Sequence, residues 1–113
     1  MDPTFEDLVA DALDRLPPWV QERLENVAVI VDARPPSGEP GLLGRYEGIP
    51  KDRRGSGYFG VMPDRITLFE ASIHRVAGDD PDRLRTLVMH TVAHEVAHHF
   101  GISDDRLREI GAY

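Results

Sequence analysis

Residues 81–104 of this 113-residue chain read PDRLRTLVMHTVAHEVAHHFGISD, and this stretch decides the fold. Asp80 is the expected N-cap, Pro81 suits the first position of a helix, and Gly101 suits the left-handed residue that follows the last turn. The apolar side chains between these signals cover most of the helix circumference; they are Val88, Met89, Val92, Ala93, Val96, Ala97 and Phe100. The pattern predicts a long helix at the buried centre of the fold.

The segments around this helix predict one α+β domain that spans residues 1–113. Apolar spacing predicts helices at 4–16, with Asp2 or Thr4 as cap, and at 19–26, 71–76 and 104–110. The β-branched run at 27–31 is typical of a central strand covered on both faces, and 65–69 predicts a short strand. Residues 34–60, rich in proline and glycine, predict loops with short edge strands at 43–49 and 57–61.

Charge and composition exclude several classes of function. Acidic residues outnumber basic ones by 20 to 13, which gives a net charge of −7, so we expect no nucleic-acid partner. The chain has no cysteine, which excludes disulfides, thiolate metal sites and a cysteine nucleophile. A transition metal must therefore bind to histidine, aspartate or glutamate.

The N-terminal segment and the hydropathy pattern bear on localisation. The first residues, MDPTFEDL, carry acids where a signal peptide has a basic region, and no apolar run approaches the roughly 20 residues of a membrane span. We therefore expect a soluble, cytoplasmic protein that has no membrane partner.

The chemistry of the chain is concentrated in the pattern H-E-x-x-H-x-x-G-x-x-D at 94–104. His94 and His98 are four residues apart, so they lie about 40° apart around the helix and about 6 Å along it, where both imidazoles reach one ion. Glu95 lies beside this face and reaches a metal-bound water. Gly101 lets the chain reverse, which brings Asp104 back as a third, oxygen ligand. We expect one Zn²⁺ per chain.

At these residues the chain resembles the minimal zincin family of zinc metallopeptidases. The resemblance extends to PDRITLF at 63–69, LRTLVMHTVAHEVAHHFGI at 84–102 and LLGRYEGIP at 42–50. It implies a short mixed sheet packed on a buried active-site helix with flanking helices, His94, His98 and Asp104 as zinc ligands, and Glu95 as the general base. The larger metzincins have histidine where this chain has Asp104, and since every methionine precedes Asp104, we expect no Met-turn.

Each candidate site residue also has a purely structural interpretation. His94 and His98 suit a hydrogen-bonded core pair, and Ser103 or Asp104 suits the N-cap of the last helix. Asp105 or Glu109 would then replace Asp104 as ligand. His90, one turn before the motif, is either a core histidine or a group that supports a ligand, and His74 and His99 rank lower.

Two further groups have alternative interpretations. The basic stretch at 51–54 is a solvated loop or a site that attracts acidic substrates, and we favour the loop. Tyr46, Tyr58 and Tyr113 are predicted to be packing residues. Tyr113 is the first tyrosine to test as a transition-state donor, because the chain returns past the metal just before it.

Three functions fit these residues. The first is a zinc metallopeptidase that binds an extended peptide along a sheet edge formed by strand 65–69 or by the short strand before it. The second is a metal-binding or regulatory domain without turnover. The third, a zinc-dependent ribonuclease, is disfavoured by the acidic charge and by Glu95.

Overall fold

Five α-helices and three β-strands form the part of the chain that the computed structural model describes, residues 3–54 and 62–109. The helices are α1 (Phe5–Asp14), α2 (Pro18–Arg23), α3 (Glu70–Ala77), α4 (Pro81–His99) and α5 (Asp104–Glu109). The strands are β1 (Val27–Asp32), β2 (Gly44–Glu47) and β3 (Asp64–Phe69). One mixed sheet packed against helices confirms the predicted α+β fold.

The sheet has the order β1-β3-β2, with β1 parallel and β2 antiparallel to β3. The prediction that 27–31 is the central strand is wrong, because β1 is at the edge of the described sheet and only partly buried. Strand β3 is central instead, and Ile66 and Leu68 on it are almost fully buried. A β-branched run indicates that a segment forms a strand. It does not indicate the position of that strand in the sheet, because the neighbouring strands are formed by residues far along the chain.

Helix α1 packs against α4 and closes one side of the core. Thr4 is its N-cap, and Thr4 and Asp7 form a reciprocal capping box, while Asp2 lies outside the described residues. Phe5, Leu8 and other apolar residues of α1 are buried in the same cluster as Val92 of α4.

Helix α4 begins and ends where the sequence predicts. Asp80 accepts a hydrogen bond from Asp82 N, and Gly101 follows the helix with a φ of 89°. The helix is not buried all round, however, because Ala93 and His90 are exposed. One face of α4 belongs to the core, and the other is open to a cleft.

The remaining predictions fall on loops and chain ends. The edge strand predicted at 43–49 is β2, whereas 57–61, Tyr58, Ile110 and Tyr113 lie outside the described residues. The prediction of a solvated loop at 51–54 is wrong for two of its side chains. Lys51 donates to Arg23 O at 2.6 Å, and the Arg54 side chain is only 8% exposed. Within residues 3–54 and 62–109, no helix is long and apolar enough to cross a bilayer.

Candidate metal centre

His94, His98 and Asp104 converge on one point at the open face of α4. Asp104 Oδ1 lies 3.1 Å from His94 Nε2 and 2.9 Å from His98 Nε2, and one ligand atom of each residue lies within 4.8 Å of the others. A tetrahedral Zn²⁺ with bonds of about 2.0–2.1 Å holds its ligand atoms about 3.3 Å apart. The structure therefore brings together the three residues predicted from the sequence, with two of their separations close to those around a zinc ion.

The contacts of His98 leave a place for a proton or a metal ion between its ring and Asp104. His98 Nδ1 lies 2.9 Å from the carbonyl oxygen of Ile102, so in neutral His98 the Nδ1–H donates and Nε2 carries a lone pair. That lone pair faces the Asp104 carboxylate oxygen at 2.9 Å. Two acceptors at this distance repel each other unless a proton or a metal ion lies between them. The same Nδ1 bond orients the ring with Nε2 toward the site.

The electrostatics of His94 also favour metal binding. Burial, followed by the neighbouring His98, lowers the pKa of His94 below 6.5, against the opposing effect of Asp104. The neutral imidazole, which is the form that binds a metal, is thus favoured near neutral pH.

The turn after α4 leaves Asp104 free to face the histidines. Ser103 Oγ accepts a hydrogen bond from Arg106 N, so Ser103 is the side chain that caps α5. The two alternative ligands form ion pairs elsewhere: Asp105 contacts Arg108 at 3.3 Å, and Glu109 contacts Arg106. The structure therefore favours Asp104 over both substitutes.

Glu95 lies beside the three converging groups and is 7% exposed. Burial raises its pKa to about 7 in the metal-free chain, while His98 lowers this pKa and Asp104 raises it. A carboxyl group with a pKa near 7 accepts and returns a proton readily at neutral pH. Its position and its pKa suit the predicted general base.

These residues line a cleft of about 420 Å³ between α4 and the segment that leads into β2. The lining comprises Gly41, Leu42, Leu43, Gly44, Tyr46, His90, Thr91, His94, Glu95, His98 and Asp104. A Cβ atom at Gly44 would lie 3.0 Å from Thr91 Cγ2 and 3.2 Å from Glu95 Cγ. Glycine at position 44 thus lets β2 approach the base closely.

The other histidines predicted from the sequence lie outside the ligand group. The His90 ring is exposed in the cleft, with its centroid 6.2 Å from that of His94. His74 lies 3.5 Å from Glu70 on the surface of α3. His99 is fully buried and contacts Asp64 with Nδ1.

A second polar cluster, centred on Asp64, is not predicted by the sequence. Its carboxylate accepts hydrogen bonds from Tyr46 Oη, Ile49 N, Arg54 Nη2 and His99 Nδ1. Burial raises the pKa of Asp64, but the bonds from Tyr46, His99, Ile49 and Arg54 outweigh it and lower the pKa below 3.8. In the sequence, Asp64 follows Pro63 at a strand end and resembles an ordinary turn residue. The Tyr46 hydroxyl is bonded to Asp64, and its ring lines the cleft, as a packing residue does.

Comparisons with known proteins bear on the family and the fold of the chain. A family model described as zincin-like metallopeptidase matches residues 24–112. A solved structure of a conserved hypothetical protein from Thermus thermophilus is similar, with 28% sequence identity and a TM-score of 0.58 over 86% of this chain and 91% of that chain. No curated protein matches significantly.

Proposed function

Because the chain belongs to the zincin-like metallopeptidase family, we propose that it is a zinc-dependent peptidase. His94, His98 and Asp104 bind one Zn²⁺ ion. Glu95 is the general base. The observation that carries the proposal is the convergence of two imidazole nitrogens and one carboxylate oxygen beside a buried glutamate, in an open cleft.

The donor set fits zinc. Two imidazoles and one carboxylate without thiolates form the three-ligand set of catalytic sites, which keep a fourth position open, whereas structural sites use four protein ligands. When bound, Zn²⁺ supplies a Lewis acid that polarises the scissile carbonyl and lowers the pKa of bound water to about 7. A structural site has no need of a base such as Glu95 beside it.

Glu95 moves the proton in the proposed reaction. Its carboxylate accepts a proton from the attacking water and returns that proton to the amine that leaves. Burial raises the pKa of Glu95 to about 7 in the metal-free chain, and a bound cation lowers it again, so the carboxylate that accepts the proton is present at neutral pH.

The proposed substrate is an extended peptide that pairs with β2. Within the described sheet β2 is an edge strand, and Gly44 and Tyr46 on it line the cleft together with the metal-binding histidines. Main-chain hydrogen bonds to a strand edge give affinity with little sequence preference. Strand β3, the other predicted edge, is excluded because it is central. The charge of −7 disfavours RNA as the substrate.

The test compares the zinc-reconstituted wild type with Glu95→Gln on a broad peptide library. Glutamine is nearly isosteric but accepts no proton, so cleavage falls about 10²- to 10⁴-fold while zinc content is retained. Glu22→Gln, the same chemical change at an exposed site on α2, is the matched control and keeps full activity.

Other outcomes are equally specific. Cleavage by Glu95→Gln at the wild-type rate, with zinc bound, would show that Glu95 is not the base, and loss of zinc would make it a ligand. A wild type that binds zinc and cleaves no peptide would favour the metal-binding domain without turnover.

A further inference from the structure

Asp64 accepts four hydrogen bonds near the end of α4, the helix that carries the metal centre, and connects this helix to the stretch from Tyr46 to Arg54. It is 2% exposed and lies at the start of β3. Its carboxylate accepts from Tyr46 Oη at 2.5 Å, Ile49 N at 3.2 Å, Arg54 Nη2 at 2.7 Å and His99 Nδ1 at 2.9 Å. The backbone at Gly48 makes room for it, since a Cβ there would overlap the carboxylate.

The first connection to the metal centre runs through His99. This residue adjoins His98 in the last turn of α4, and its ring is fully buried and bonded to Asp64. Anchoring His99 fixes the rotation of the last turn, and that rotation sets the direction of His98. His98 is held from its other side by the bond of Nδ1 to Ile102 O.

The second connection runs through the loop that contains Arg54. Arg54 donates to Asp64, to Ile49 O at 3.0 Å and to Glu25 O at 3.3 Å, which fixes the part of this loop from Ile49 to Arg54. The Asp52 carboxylate of this loop occupies the space where Gly101 would carry a Cβ. The loop therefore abuts the turn that begins at Gly101 and brings Asp104 to the histidines.

We propose that Asp64 is a positioning residue of the metal centre, which holds His98 through His99 and Asp104 through Arg54. The inference rests on the proposed zinc site. A buried ion pair is weak evidence for stability, because the cost of desolvating both charges offsets their attraction. The Asp64–Arg54 pair, with side chains 2% and 8% exposed, is more simply explained by the geometry that it imposes on the ligands.

The experiment measures Zn²⁺ affinity by competition with a chromophoric chelator, and the absorption spectrum of the Co²⁺ form, for Asp64→Asn and the wild type. Loss of a group that orients metal ligands lowers affinity about 10- to 100-fold. We expect this loss together with a changed Co²⁺ d–d spectrum. Val20→Ala, a buried core substitution in α2, is the control for general destabilisation and keeps both wild-type values.

Two milder variants keep the test decisive if Asp64→Asn does not fold. Tyr46→Phe removes one of the four donors and keeps the ring, and Arg54→Gln releases the loop. Both weaken Zn²⁺ binding severalfold. In an Asp104→Ala background the effect of Arg54→Gln becomes smaller, because the connection from Arg54 to Asp104 is gone and only the one through Asp64 and His99 remains.

Each alternative result overturns a defined part of the proposal. Wild-type affinity and spectrum in folded Asp64→Asn, or in both milder variants, would refute the positioning role. An equal effect of Arg54→Gln with and without Asp104 would refute the connection through the loop. Wild-type protein that binds neither Zn²⁺ nor Co²⁺ would refute the metal centre itself. Affinity losses as expected without any peptide cleavage would support Asp64 and contradict the proposed peptidase activity.

Discussion

Replacing Glu95 with glutamine stabilises the metal-free protein at neutral and alkaline pH. Glu95 is 7% exposed, and burial raises its pKa from 4.5 to about 7. Because its pKa is higher in the folded state, the folded chain holds this proton more tightly than the unfolded chain does. The stability of the wild type therefore falls as the pH rises from 4.5 through 7, and the full loss is present above pH 7.

The pKa shift sets the magnitude of the effect. At about 1.4 kcal/mol per unit, a rise from 4.5 to about 7 corresponds to about 3 kcal/mol of lost stability at pH 8. Glutamine does not titrate and does not suffer this loss. For a domain of this size the gain corresponds to an increase in Tm of roughly 10 °C.

The assay is thermal unfolding of both proteins in chelator, followed by circular dichroism from pH 4.5 to 8. The difference in Tm is small at pH 4.5 and grows until about pH 7. Added Zn²⁺ reduces the difference at pH 8, since the nearby cation favours the ionised carboxylate. A difference that does not change with pH would refute the claim that Glu95 is a buried carboxyl group that ionises with difficulty.

The remaining predictions concern the ligands and two glycines. In a chelator competition, His94→Ala abolishes zinc binding, Asp104→Ala weakens it and Asp104→His largely keeps it. Tight binding by Asp104→Ala would place the third ligand elsewhere. Gly101→Ala lowers the unfolding free energy by about 1–3 kcal/mol, because φ of Gly101 is 89° and the Asp52 carboxylate occupies the position of the added Cβ. Urea titrations measure this loss, and unchanged stability would contradict the packing. Gly44→Val lowers kcat/KM and leaves zinc bound, because the added Cβ would lie 3.0 Å from the nearest α4 side-chain atom in the cleft. Undiminished cleavage would place the substrate elsewhere.

The sequence predicts α4 and the shared face of His94 and His98 well because the determinants are local. Asp80, Pro81 and Gly101 define the ends of the helix, and the spacing of His94 and His98 fixes their shared face. The return of Asp104 follows from a single turn after Gly101. Each of these relations spans a short stretch of chain, so no knowledge of the tertiary fold is needed.

The sheet order and the Asp64 cluster depend on contacts between distant residues. Strands β1 and β3 both have strand-forming sequences, and only their pairing with each other and with β2 makes β3 central. Asp64 contacts Tyr46, which is 18 residues away, and His99, which is 35 residues away. No local pattern marks such a contact, and for the same reason the close approach of Gly44 to Glu95 was not predicted.

The most direct test of the metal centre is anomalous diffraction from crystals of the zinc-loaded protein at the zinc absorption edge. We predict one anomalous peak per chain, within about 2.0–2.2 Å of His94 Nε2, His98 Nε2 and a carboxylate oxygen of Asp104. Absence of a peak after zinc loading, or a peak that contacts neither histidine, would contradict the account.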